Sequence, residues 1–114
     1  MKMRKELKRL GTKSFYSFTA CVAKKTMLIE GISSILVRDV RLKGKRATKH
    51  VWLKLGKSFS SLNIEPGMFI RFKSRVIMYA KINHDINGSG KIVNYGLSNP
   101  VYLEVITEKE HFLK

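Results

Sequence analysis

Acidic residues are scarce in this sequence: eight Asp and Glu stand against twenty-three Lys and Arg, a formal net charge of +15 over 114 residues. Solubility of a small domain asks for a net charge of only about 2–8, so an excess this large means self-repulsion that a polyanionic partner would relieve. Cysteine is nearly absent. The single Cys21 excludes an internal disulfide. No apolar run approaches the roughly 18 residues of a membrane span. Met1 to Lys13 is basic and lacks the apolar core of a secretory signal. Together these absences lead to the expectation of a cytoplasmic protein without a membrane partner. The acids are too few and too scattered for the clustered carboxylates of a metal-dependent nuclease.

Hydrophobic residues make up 44% of the chain, enough for one folded domain rather than a disordered polycation. The charge is uneven: residues 1–57 hold 16 basic and 3 acidic residues, and residues 58–114 hold 7 and 5. This distribution favours nucleic acid as the partner, with an anionic membrane surface as the main competitor.

Most of the chain is patterned for strands. Met3, Leu7 and Leu10 recur at helical spacing in a basic N-terminal arm, 1–13, that reads as a short helical stub or a disordered segment. Tyr16, Phe18, Ala20 and Val22 share one face of a strand from Phe15 to Ala23, which Lys24, Lys25 and the stretch through Gly31 interrupt or bend. A second strand runs from Ile35 to Leu42, and a turn follows at Lys43-Gly44-Lys45-Arg46. In a third strand, His50 to Leu55, Val51, Leu53 and Leu55 alternate with His50, Trp52 and Lys54. Phe59 and Leu62 suggest a short helix that Ser58 caps. Beyond Pro66-Gly67 comes a long strand, Met68 to Lys81. One face carries Met68, Ile70, Phe72, Ser74, Val76 and Met78, and the other Phe69, Arg71, Lys73, Arg75, Ile77, Tyr79 and Lys81. A loop with an Asn87-Gly88-Ser89-Gly90 turn and a last strand, Val101 to Thr107, complete the domain before a short tail, 108–114. The order of elements predicts an all-β fold, a small five-stranded barrel over 14–107 with a short helix between strands three and four. Closure removes the edges that an open sheet would leave.

Four segments carry a family resemblance: Val51-Trp52-Leu53-Lys54-Leu55, Phe59-x-x-Leu62, Pro66-Gly67-Met68-Phe69-Ile70-Arg71-Phe72, and Pro100-Val101-Tyr102-Leu103-Glu104-Val105-Ile106. In this order they resemble the OB-fold, and within it the bacterial and phage single-stranded-DNA-binding proteins and small primosomal replication proteins. The likeness spans residues 15–107. The sequence departs from typical bacterial members in lacking their long, Gly/Pro-rich, acidic-tipped tail. The resemblance implies a non-enzymatic protein that binds single strands, DNA rather than RNA, with little sequence preference, in replication or recombination of a phage or mobile element.

Three groups of residues are candidates for the interface. Arg71, Lys73, Arg75 and Lys81 alternate with Phe69 and Tyr79 on one strand face, a pattern that pairs phosphate neutralisation with base stacking. Trp52 stands beside Lys54 on the polar side of the third strand, as a stacking platform unless it belongs to the core. Arg38, Arg41, Lys43, Lys45, Arg46 and Lys49 cluster about the connection between strands two and three, with Asp39 the one opposing charge.

Catalytic and cofactor motifs are not met. Gly88-Ser89-Gly90-Lys91 lacks the spacing of a phosphate-binding loop. A calcium loop beginning at Asp85 would end on Gly96 instead of Glu. His50, His84 and His111 lack ligands at metal spacing. Two further functions stay open. One is an accessory subunit docked on a polymerase, primase or helicase, which an outward patch of Ile77, Tyr102 and Ile106 would favour. The other is an RNA- or ribosome-associated factor. A homo-oligomer is also compatible with the sequence.

Overall fold

The computed structural model describes residues 4–29, 32–83 and 90–113. Its six strands are β1 (Phe15–Ile29), β2 (Ile32–Leu42), β3 (Lys45–Leu55), β4 (Phe69–Asn83), β5 (Gly90–Leu97) and β6 (Tyr102–Ile106), flanked by the short helices α1 (Lys5–Leu10) and α2 (Glu108–Phe112). The hydrogen-bonded order is β3-β2-β1-β4-β5, all antiparallel, with β6 also on β4.

β1 is the spine. Its first half, Phe15 to Cys21, pairs with β4, and from Thr19 onward it pairs with β2. Register shifts between Thr19 and Cys21, Val22 and Lys24, and Met27 and Ile29 bend the strand between these two partners. β1 thus continues past Ala23: at Lys24 and Lys25 the strand bends, with a register shift between Val22 and Lys24, and is not interrupted.

β2 and β3 are joined at Lys43 and Gly44, both at positive φ (54° and 80°), the primed-turn geometry that suits the twist of a hairpin. The expected helix after β3 is one 3-10 turn, Lys57–Phe59. Its N-cap is Gly56, with no side-chain cap, so Ser58 sits inside the turn rather than capping it. Phe59 and Leu62 pack against the core, as their spacing suggested.

The stretch after β4 contains a strand that the sequence pattern concealed. β5 pairs with Val76 to Asn83 of β4, and β6 pairs with Phe69 to Lys73. Between them, Ser98 N donates to the Arg75 carbonyl and Val101 N to the Lys73 carbonyl, both at 2.8–2.9 Å. β5 and β6 are therefore one companion to β4, interrupted at Asn99-Pro100, and together they form the fifth strand of the barrel. The Asn87-Gly88-Ser89 part of the expected turn, His84 and Asp85 lie outside the described residues.

Inward residues of these strands build one core, including Phe18, Val37, Leu53, Ile70, Phe72 and Val76. The Phe18 and Phe72 rings stack at 5.6 Å. Met78, grouped by alternation with Ile70, Phe72 and Val76 on one face of β4, is 62% exposed while those three are buried. The described pairing of β4 with β1 ends at Arg75 and only β5 accompanies it beyond, so the alternation that buries Ile70 to Val76 no longer faces a closed interior at Met78. The barrel path is open between β3 and β5. At this seam α1 buries Leu7 completely, and Arg4 bridges the strands. No helix among the described residues is long and apolar enough to cross a membrane.

Candidate nucleic-acid interface

Directly opposite residues of antiparallel strands present their side chains on one face, with Cβ atoms about 4.5–5.5 Å apart. The extension of β1 therefore completes a three-strand platform. Lys24 pairs with Leu36, and Leu36 with Trp52, a row of cation, aliphatic and indole across β1, β2 and β3. Beside it lie Thr26, Ser34 and Lys54 on one flank, and Arg38 and His50 on the other. Trp52 is 49% exposed while its neighbours Val51 and Leu53 are buried, so the alternation places Trp52 on the surface and not in the core. Lys24, Arg38 and Lys54 are exposed, and none has a carboxylate partner among the described residues. Lys24 and Leu36 escaped the sequence reading because Lys24-Lys25 resembles a strand end. Recognising a bulged strand there would have found both.

The basic cluster at the β2–β3 turn is divided. Arg41 Nε and Arg46 Nε bind the Asp39 carboxylate at 2.9 and 3.0 Å, and Arg41 also donates to the Gly44 carbonyl at 3.3 Å. Lys43, Lys45 and Lys49 are exposed and without a carboxylate partner among the described residues. Asp39, at positive φ (52°), also receives His111 Nε2 at 2.9 Å, and His111 Nδ1 lies 2.9 Å from Thr19 Oγ1. Burial pushes the Asp39 carboxyl up, but the hydrogen bonds from His111, Arg41 and Arg46 outweigh it and hold it below its usual value.

The aromatic-basic face of β4 is also divided. Phe69 lies under α2, 5.1 Å from the His111 ring and 6.2 Å from that of Phe112. Arg71 is paired to Glu104 and, at 3.6 Å, to Glu110. Tyr102 also donates to Glu104, and the hydrogen bonds from Tyr102 and Arg71 hold that carboxyl low. Lys73 and Arg75 remain exposed, with the Arg75 guanidinium 5.7 Å from the Phe15 ring. Tyr79 stands apart from these cations. It shares with Trp52 and Ile77 a groove of about 300 Å³ at the β3–β5 seam. The backbone of Lys81 continues the pairing with β5. Ile77, Tyr102 and Ile106 do not form one patch: Ile77 lines the seam, Tyr102 lies beside Glu104, and Ile106 is buried. Among the described residues no three His, Cys, Asp or Glu side chains gather to hold a metal ion.

No protein-family model matches the chain, and no curated protein matches it by sequence. By structure it is similar to the mitochondrial single-stranded DNA binding protein Rim1 of S. cerevisiae, with a TM-score of 0.56 over 82% of this chain and 94% of Rim1. The shared fold is the OB-type barrel. Sequence identity is 8%, so the likeness lies in the path of the strands, not in shared side chains.

Proposed function

We propose that the chain is a non-enzymatic binder of single-stranded nucleic acid, DNA before RNA, that reads little sequence. The observation that carries this reading is the exposed indole of Trp52 in one cross-strand row with Lys24 and Leu36, flanked by the cations Arg38 and Lys54, which have no carboxylate partner among the described residues. A base of any identity stacks on an aromatic face, worth about 1–3 kcal/mol, while the flanking cations neutralise phosphates. OB barrels bind oligonucleotides on the face of strands two and three, between the loops 1–2 and 4–5, and the row lies on that face. Similarity to Rim1, named as a single-stranded DNA binding protein, supports the same substrate class. Lys43, Lys45 and Lys49 at the β2–β3 turn, with Lys73 and Arg75 on β4, extend the path for the phosphate backbone. Arg41, Arg46, Phe69 and Arg71 act through the fold that holds it. Transiently exposed strands arise in replication and recombination, and a reducing cytoplasm suits the lone buried thiol of Cys21.

Competition at matched salt between a single strand and a duplex of equal length tests the proposal. Preference for the single strand is expected, since duplex bases offer no free face to Trp52. Equal affinity would reduce the site to a bare cationic surface.

A further inference from the structure

The seam between β3 and β5 contains a second feature, a half-open groove, beside the platform. The groove, about 300 Å³, is walled by Trp52, Ile77, Tyr79, Gly96 and Leu97, with Arg4 the one charged residue lining it among the described residues. This volume is at the small end of ligand pockets, roughly 300–1,000 Å³, and suits one planar group better than a run of nucleotides. Gly96 lets the wall close: a Cβ there would stand only 3.3 Å from Tyr79 Cε1, so the tyrosine ring lies against the β5 backbone. Trp52 sits on the edge strand β3, bordering both the open platform and this groove.

Arg4 is held in place by the protein. Its Nη1 donates to Tyr79 Oη at 3.0 Å and to the Tyr95 carbonyl at 2.8 Å, its Nη2 to the His50 carbonyl at 3.4 Å, and its backbone N to Asn94 Oδ1 at 3.1 Å. A guanidinium carries one N–H on Nε and two on each Nη. Nε–H and one N–H of Nη2 therefore have no protein acceptor among the described residues. Such a pair of donors matches two neighbouring acceptors in a plane, and on a nucleobase that arrangement is the O6 and N7 edge of guanine. A phosphate would also fit the donors, but the aromatic and aliphatic walls favour a flat ring.

Resting on the single-strand-binding reading, we infer that the groove is a one-base slot that prefers guanine, with Trp52 and Tyr79 flanking the ring and Arg4 reading its O6 and N7. General binding would then carry a local preference at one position of the bound strand.

The test titrates the intact protein with short oligothymidylates carrying a single guanosine at successive positions. One position should tighten binding roughly tenfold over plain oligothymidylate. Placing 7-deazaguanosine there should remove the gain in the unmodified protein, which avoids any folding defect of a variant. Arg4→Lys should remove it too, while leaving affinity for plain oligothymidylate within a factor of about two. Absence of a favoured position, or a gain that survives 7-deazaguanosine, overturns the slot. So does an Arg4→Lys effect that weakens all strands alike and lowers the salt dependence, which would make Arg4 a phosphate contact. If oligothymidylate binds without base preference, the slot alone falls. If no oligonucleotide binds, the general reading falls with it.

Discussion

Trp52 and Leu36 stand opposite each other on the outer face of β3 and β2, and Lys24 of β1 lies directly beyond Leu36. The indole is 49% exposed beside an aliphatic side chain and a lysine, and so offers surface on which a base can stack. Trp52→Ala should therefore weaken single-strand binding by about 1–3 kcal/mol. The melting temperature should stay near that of the parent, because an exposed side chain leaves no cavity. A core tryptophan would cost roughly 3–5 kcal/mol of stability instead. Calorimetric melting before and after the substitution separates the two.

Cations on the same platform divide from cations already paired. Alanine at Lys24, Arg38 or Lys54 should each lower the slope of log affinity against log salt by about 0.7. Arg71→Ala should leave the slope nearly unchanged, since Glu104 and Glu110 already neutralise that guanidinium. Loss of its half-exposed pairs should cost at most about 1 kcal/mol of stability. A slope change at Arg71 equal to that at Lys54 would show that α2 swings away on binding.

Strong acid should loosen the anchor of α2. The folded-state value of Asp39 lies below its ordinary 3.8, so its contribution is complete above that pH and is lost as pH falls through 3.8 toward the lower, folded value. Asn tolerates the left-handed backbone at this position. Asp39→Asn should cost about 1–3 kcal/mol near neutrality, and the deficit should shrink as the unmodified protein is acidified. A deficit independent of pH in thermal melts would remove the carboxylate from that role.

Ser74 gives a simpler test of the barrel interior. Its hydroxyl is fully buried on the core face of β4 and has no hydrogen-bond partner among the described residues. Removing an unsatisfied buried polar group is neutral or favourable. Ser74→Ala should match or exceed the parent in denaturant stability, by up to about 1 kcal/mol, and a clear loss would reveal a partner for the hydroxyl.

Elements with strict alternation were legible in the sequence. Val51-Trp52-Leu53-Lys54-Leu55 announces both the burial of β3 and the exposure of Trp52, and Lys43-Gly44 announces its hairpin. β5 was not legible, because its buried positions include Asn94 and Gly96, which read as loop residues. Their burial depends on Arg4, whose backbone N–H donates to Asn94 Oδ1 across 90 residues of sequence, and on Tyr79, which covers Gly96. The face of β4 was legible as a pattern but not as a site. Glu104, Glu110 and His111, which occupy Arg71 and cover Phe69, arrive from the end of the chain. Single-strand periodicity gives no sign of such neighbours.

Trp52 is the only tryptophan in the chain, so all tryptophan emission comes from the surface where the platform meets the seam groove. Titration of the unmodified protein with oligothymidylate at moderate salt, followed by intrinsic fluorescence and by an independent binding signal from a labelled strand, is the most direct measurement. Stacking on Trp52 predicts saturable quenching that tracks the binding signal and is much weaker with a duplex of equal length. Strand binding that leaves the emission unchanged would place the nucleic acid elsewhere on the barrel and contradict the role given to Trp52.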